Sequence, residues 1–542
     1  MTRTYRLSKS KIMSGQQCHK RLWLEMHKRE LAQVSPESEH IFRMGHLFGD
    51  RARELMGPGE LVGHERDIAR ALDETPAALA RASANGTVVY EAAFSYRDVV
   101  SRADGFAPYL DGWHMIEVKA ATSDKAYFYL DCAVQAWVAE GAGYPVRRVT
   151  LAYMNNQFIY SGEENYAGLL RELDVTAKVA QLKVSVDGIV GQLQAMLAQD
   201  EPDIRTGEHC LSPYHCPFIA YCRSQEPPAP EYPVEIFHRF TASKLRAAGY
   251  TDALDVPETA LESARNLLIL RASREGVPYI APSAQQFLRT RPYPRYFLDF
   301  ETMSSSVPFW AGTRPYQQIP FQWSCHVETA PGILTHHEFL DLSGELPAQE
   351  FVRSLIETVG TEGPVIVYST FERTRLRELC ELVPECRDEL QAIMRRLLDL
   401  LQVVRSGYYH PAMKGSFSIK QVVPTLCQEL EYASLNGVAD GGAAQRAWWA
   451  AVDASTSALE LLELRGRLLE YCKRDTLAMV AVYGGLCAGR PIRLSEYGID
   501  APPLRRTTSV GTHNHLRETT TMYRQLDESI LRILPTERNC EK

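Results

Sequence analysis

Apolar positions change their period several times along the chain, and the changes divide it into blocks. In "LSKSKIMSGQQCHKRLWLEM" and "HIFRMGHLFGDRARELM" they recur at helical spacing, with Ser8 placed as an N-cap. "GTVVYEAAFSY", "SRADGFAPYL" and "WHMIEVKAAT" are short β-rich runs bounded by Gly or polar residues, which predicts three strands. "YFYLDCAVQAWVAEGAG" predicts a helix that stops at Gly, and "RVTLAYMN" a further strand. This succession predicts an α/β core within residues 1–228. The Pro-rich "QEPPAPEYP" follows as a linker.

Residues 229–292 predict a helical connector. Within it "LRAAGYTDALDVP" has the look of a helix–turn–helix, although a plain connector is the preferred reading. A second α/β unit spans 293–490. Its buried strands are "RYFLDFETM" and "GPVIVYSTF", and its helices include "RLLDLLQVV" and "LLELRGRLLEYCKRDTLAMVAVYGGL". Residues 491–542 form a polar tail.

The 542 residues suffice for two or three domains. No stretch is apolar for 18 residues, so no membrane span is expected. Met1–Met13 carries no apolar signal core, so a cytoplasmic chain is expected. A net charge of −8 argues neither for nor against nucleic acid, because clustered acids can coexist with local Lys/Arg. The twelve cysteines then read as metal ligands or small buried hydrophobes rather than disulfides.

In "WHMIEVKAAT", Glu117 and Lys119 point to one face of a strand, because side chains alternate. Alone, such a pair reads as a solvated, half-exposed strand. Asp104 in "SRAD", His46 in "RMGHLFGD" and Gln135 in the following helix alter the balance. Two carboxylates and a lysine can hold a divalent cation and orient a water at phosphorus. The set resembles the RecB-type PD-(D/E)XK nucleases, with their restriction-endonuclease-like core. That resemblance implies His46, Asp104 and Glu117 as metal ligands and Lys119 as the catalytic lysine. Gln135 and Tyr129 would support them, and Glu91 in "YEAAF" is a looser candidate.

Cys18 precedes this core, while Cys210, Cys216 and Cys222 follow it in the Pro- and aromatic-rich "HCLSPYHCPFIAYC". Three thiolates on one loop and a distant fourth can complete a four-sulfur site. Cys380 and Cys386, also six apart, read as core or surface residues. The first set resembles the iron–sulfur subclass of RecB-like nucleases, although its late spacing lacks their C-x-x-C step. The resemblance implies a [4Fe–4S] cluster, with zinc as the alternative.

"YFLDFETM" places Asp299 and Glu301 on one face of an apolar strand, which is costly without a cation. Glu372 follows the next strand, and Tyr471 and Asp475 lie at i, i+4 on a helix. Four acids can hold two divalent metals for in-line attack. In this order they resemble the DEDDy branch of the RNase H-like 3′–5′ exonucleases, except that Glu372 stands in a stretch that normally carries Asn and Asp. Asp399 is a rival third acid. Lys414, Ser416, Ser418 and Lys420 are candidate phosphate contacts, each equally readable as a solvated turn.

The expectation is a DNA nuclease with two Mg²⁺- or Mn²⁺-dependent sites, serving repair, recombination or defence. The strand state of the DNA stays open. The alternatives are a nucleic-acid-binding or assembly protein with one or both sites inactive, and an RNA-directed exonuclease.

Overall fold

Hydrophobic runs at two different periods produce two large sheets, each clothed by helices, and a separate two-stranded ladder. The computed structural model describes residues 6–33, 35–64, 67–430 and 440–499 of this mixed α/β protein. The chain divides into two compact units. One holds residues 1–227 with 305–317, the other 228–304 with 318–542.

In the first unit, β1 (Leu7–Ser8) leads into α1 (Lys9–Gln17), α2 (His19–His27) and α3 (Pro36–Leu55). Next come β2 (Gly59–Leu61), α4 (Ile68–Asn85) and a meander of β3 (Val88–Tyr96), β4 (Val99–Tyr109) and β5 (Gly112–Lys119). Helix α5 (Ala126–Gly141) crosses to β6 (Val146–Met154); β7 (Leu170–Asp174), α6 (Thr176–Leu197) and the short α7 (Ile219–Ser224) finish the unit. The strands run β2-β3-β4-β5-β6-β7, with β1 joining β4 off this path. β5 and β6 are parallel and are bridged by α5, as a parallel pair requires.

Ser8 does cap α1, accepting from the Lys11 amide at 3.3 Å. α5 is apolar on most sides, with nine buried positions, because it lies against both the sheet and α6. Phe94, Phe106, Met115, Val134 and Leu151 anchor the core, each contributing about 1.5–3 kcal/mol by burial.

The second unit opens with α8 (Arg239–Ala247), α9 (Ala264–Glu275), β8 (Tyr279–Ile280) and α10 (Pro282–Arg289). Then follow β9 (Arg295–Met303), β10 (Ile319–Ala330), β11 (Ile333–Leu340), α11 (Ala348–Val359), β12 (Val365–Val367), α12 (Phe371–Leu382) and α13 (Arg387–Arg395). The remainder is β13 (Leu397–Asp399), α14 (Leu400–Gly407), β14 (Tyr408–Tyr409), α15 (Ile419–Leu426), α16 (Gly441–Ala451) and α17 (Ala458–Ala488). The sheet order is β11-β10-β9-β12-β13, antiparallel on one side of β9 and parallel on the other.

Alternation along β9 divides the core. Leu298 and Phe300 pack with Trp323, Cys325 and Phe351 on one face. Phe297 packs with Met479 and Tyr483 of α17 on the other.

Three expectations change. Residues 229–292 are helical, but Val234, Leu245, Leu270 and Leu288 are buried in the core of the second unit, so the segment is part of that unit. "LRAAGYTDALDVP" contains the end of α8 and a short 3₁₀ turn, with no second helix before Ala264, so no helix–turn–helix forms. In "RLLDLLQVV" the first residues pair with β12 as β13, and only from Leu400 does the backbone turn helical. Of the tail, Ile492 and Leu494 are buried, while residues 500–542 lie outside the described residues.

Gly363 lets β12 begin alongside β9. Its φ is +78°, and a Cβ there would lie 1.9 Å from the Pro294 carbonyl oxygen. Gly363→Ala is expected to lower the urea midpoint of the second unit by at least about 2 kcal/mol equivalent. Gly344→Ala, at a φ of +82° but with 3.8 Å to its nearest neighbour, is expected to cost less. Equal costs would remove close approach as the cause.

Candidate active sites

Three acids line up across the first sheet. Gly105 pairs with Ile116, so Asp104 on β4 faces Glu117 on β5. Tyr90–Gly105 and Ala92–Ala103 pairs bracket Glu91, which faces Asp104 from β3. Glu91 has a φ of +58°, a costly backbone state for a non-glycine residue, and pairs with Arg102 at 3.2 Å.

Glu117 is 1% exposed. Its Oε1 accepts from Lys119 at 2.6 Å and from Lys9 at 2.8 Å, and its Oε2 accepts from Gln135 Nε2 at 2.6 Å. Lys119 also reaches Asp131, and Lys9 stands 3.7 Å from it. Burial alone would raise Glu117, but the charges of Lys119 and Lys9 hold it well below the usual carboxylate range. Asp104 goes the other way. Burial, then the charge of Glu117, pushes it up to about 8, and its Oδ2 accepts from the Val118 amide at 2.6 Å. Acid and base character are thus separated between two facing carboxyls.

Four expected residues meet here: Asp104, Glu117, Lys119 and Gln135. His46 does not join them by contact. It is exposed on α3 and makes no hydrogen bond or ion pair among the described residues. Tyr129 is also diverted, since its hydroxyl binds Asp124 and accepts from Lys178 at 3.0 Å. Lys9 and Asp131 were not foreseen. Asp131 was detectable, lying one helical turn before Gln135 on α5. Lys9 lies 108 residues from Glu117 and no local spacing betrays it.

Three of the four cysteines share a small apolar cluster, and Cys18 lies near enough to act on them electrostatically. Cys210 and Cys216 are buried beside Leu24, Phe218 and Ile219, with Cys222 packed against them. Cys18 sits at the start of α2, where the amides of Lys20 and Arg21 face its sulfur. Burial raises the thiols of Cys18, Cys216 and Cys222, and each is raised further by other cysteines of the set. Gln17 ties α1 to the loop through the His209 and Tyr214 carbonyls at 2.7 and 2.6 Å. Cys380 instead lies in the hydrophobic core of the second unit and donates to the Leu376 carbonyl.

In the second unit, Asp299 and Glu301 share the face of β9 that meets α17. From α17, Tyr471, Asp475, Met479 and Tyr483 recur every fourth residue toward that sheet face. Asp299, Glu372, Tyr471, Asp475 and Lys420 line one cavity of about 330 Å³. Ligand atoms of Asp299, Glu301 and Cys472 also lie within 4.8 Å of one another. Cys472 donates to Asp299 at 3.8 Å, and burial keeps its thiol protonated. A buried bond network secures α17. Thr476 Oγ1 meets His326 Nδ1 at 2.8 Å and Ser324 Oγ at 2.9 Å.

Lys420 offsets only part of the crowding at these acids, by lowering Glu301. Burial, then Asp475, raises Asp299 and Glu301 well above their ordinary values. Glu372 is pushed up to about 8 by burial, with Asp399 adding to it. Its Oε2 is buried without a hydrogen-bond partner. Burial, then Asp475, raises the Tyr471 phenol, which stays a donor. Asp440, another unforeseen residue, caps α16 and adds negative charge near Glu301.

Asp399 is not the third acid of this cavity. It caps α14, accepting from Gln402 N, and lines a different cleft. Of the loop candidates, only Lys420 reaches the acid cavity. Lys414 lies over Tyr232, Ser416 Oγ accepts from the Ser418 amide, and Ser418 borders a neighbouring cavity.

Both arrangements therefore belong to the class of buried carboxylate clusters set on central strands. Residues 296–418 match the family described as Domain of unknown function (DUF2779). This stretch holds Asp299, Glu301 and Glu372 but stops short of Asp475. A solved chain titled "Crystal structure of SSO0001" aligns at 12% identity over 41% of this chain and 87% of its own, with a TM-score of 0.20. No curated protein matches. No described helix is long and apolar enough to cross a membrane.

Because the Glu372 carboxyl binds its proton more tightly folded than unfolded, its contribution is complete below about pH 4.5 and is lost as pH rises toward 8. Without divalent cations, the melting temperature of the second unit should fall across that window. Asp299→Asn should raise it at pH 8, by about 2–4 °C per kcal/mol of repulsion relieved. Mg²⁺ or Mn²⁺ should stabilise the native chain and stabilise Asp299→Asn less. A pH-independent melt would refute the crowding of charge.

Proposed function

We propose that this protein is a metal-dependent nuclease with two active sites. The first would be a RecB-type PD-(D/E)XK site and the second a DEDDy-type site on an RNase H-like domain. The carrying observation is the acid cavity of the second unit, where buried carboxyls crowd one another and Glu372 keeps an unpartnered oxygen. Such a set is stable at neutral pH when cations replace the missing positive charge.

The residues suit that group. Asp299, Glu301, Glu372 and Asp475 would hold Mg²⁺ or Mn²⁺, which lowers the pKa of a water and offsets charge on a phosphate. Tyr471, kept protonated, would donate to the attacking oxygen. Lys420 brings positive charge to the same cavity. In the first unit Asp104 and Glu117 would hold a cation, with Glu91 beside them. Lys119 would leave its ion pair to meet charge developing on phosphorus. Gln135 fixes one Glu117 oxygen, so the other is the one free to exchange partners.

Cys18, Cys210, Cys216 and Cys222 would hold a [4Fe–4S] cluster, with zinc as the alternative. A cluster would clip α1–α2 to the 208–222 loop and couple folding to metal loading. Lys20, 8% exposed and paired with Glu201 at 3.1 Å, offsets part of the rise that burial imposes on the Cys222 thiol.

DNA is the proposed substrate. With Mg²⁺ or Mn²⁺, labelled single- or double-stranded DNA should be cleaved. Lys119→Ala and Asp299→Ala should each abolish a different activity, by at least about 100-fold. Metal-dependent binding with no turnover on DNA would favour a binding role, and cleavage confined to RNA would replace the substrate. Prepared anaerobically, the chain should be brown and carry about four irons, and Cys210→Ser should bleach it. A colourless chain with one zinc would overturn the cluster.

A further inference from the structure

Beside the acid cavity of the second unit lies a larger one, of about 480 Å³. Phe237, His238, Arg265, Tyr368, Arg405 and Phe417 line it. Tyr368 and Ile419 line both cavities, so the two are neighbours across a shared wall. Its volume lies in the range of small-molecule sites, roughly 300–1,000 Å³.

The walls are built and not incidental. Tyr368 donates to the Phe417 carbonyl at 2.9 Å and so fixes the loop that carries Phe417. That loop presses on the segment before α8. Gly415 has a φ of +80°, and a Cβ there would lie 2.0 Å from the Ile236 carbonyl oxygen. Asn266, 4% exposed, donates to Thr241 at 3.1 Å and joins α9 to α8. Three distant stretches of chain thus converge on one hollow.

Its chemistry is of two kinds. Arg265 and Arg405 form no ion pair with an acid among the described residues. Arg265 stands 5.7 Å from the centre of the Phe417 ring. Guanidinium groups bind phosphates in a fork, and flat rings stack on bases without regard to sequence.

Resting on the nuclease reading of the acid cavity, we propose that this hollow is a nucleotide subsite of a single-stranded nucleic acid. It would hold the nucleotide next to the one being cut, with Arg265 and Arg405 on its phosphates and its base among Phe237, Tyr368 and Phe417. A walled cavity admits an unstacked base and excludes a paired one.

The test is binding of the full chain to a fluorescein-labelled thymidine oligonucleotide, followed by anisotropy in Ca²⁺ over a salt series. For single strands each phosphate contact contributes about 0.7 to the slope of log K against log salt. Arg265→Gln/Arg405→Gln should bind at least about tenfold more weakly and lose about 1.4 from that slope. The Lys/Lys double variant should keep the slope, which separates charge from folding. An unchanged slope in the Gln double variant would overturn the subsite. So would equal competition by thymidine monophosphate or inorganic phosphate, which would leave a mononucleotide pocket. Equal slope loss on blunt duplex DNA would overturn the single-strand assignment. Hydrolysis of the p-nitrophenyl ester of thymidine 5′-phosphate by the native chain with Mn²⁺ reads the acid cavity separately. Its failure would remove the nuclease reading while the salt slopes still judge the subsite.

Discussion

Placing carboxylates side by side in the middle of buried strands is the constraint on which both units turn. Each acid loses hydration, and each repels its neighbours through a medium that screens poorly. The fold answers this in two ways. In the first unit, Lys9 and Lys119 bind Glu117 directly, and Asp104 takes up a proton instead. In the second, Asp299, Glu301 and Glu372 are all driven toward protonation, with Lys420 offsetting part of this at Glu301. The first cluster is balanced mainly by lysines, the second mainly by held protons.

The scaffolds serve these clusters. β9 is central in its sheet, so Asp299 and Glu301 receive neighbours from both edges and a roof from α17. The register of α17 is set by buried hydrogen bonds at Thr476, one residue from Asp475, and by Gln322 donating to the Leu468 carbonyl at 2.9 Å. In the first unit the short β1 pairs with β4, and α1 starts directly behind it. That pairing places Lys9 over the acid row. Gln17, at the other end of α1, holds the cysteine loop. One nine-residue helix therefore links the acid row to the sulfur cluster.

Much of this was legible in the chain. Glu117 with Lys119, and Asp299 with Glu301, are two residues apart, and strand geometry puts such pairs on one face. Tyr471 and Asp475 are four apart, and helix geometry does the same. Asp104 and Gln135 followed from order along the chain. Cys18 with Cys210, Cys216 and Cys222 could be grouped only by composition and flanking position.

What local period determined, the sequence determined alone: which strands carry acids, which helix face carries Tyr471 and Asp475, and where α1 begins. Contacts across the chain belong to the tertiary structure. It chose Glu372 over Asp399, because one enters the acid cavity and the other is spent capping α14. It brought Lys9 to Glu117, left His46 at the surface, and turned the supposed connector into core. The physical reason is the same in each case. Side-chain direction repeats over a few residues and can be read from spacing, whereas strand pairing and helix docking join residues whose separation along the chain carries no geometric information.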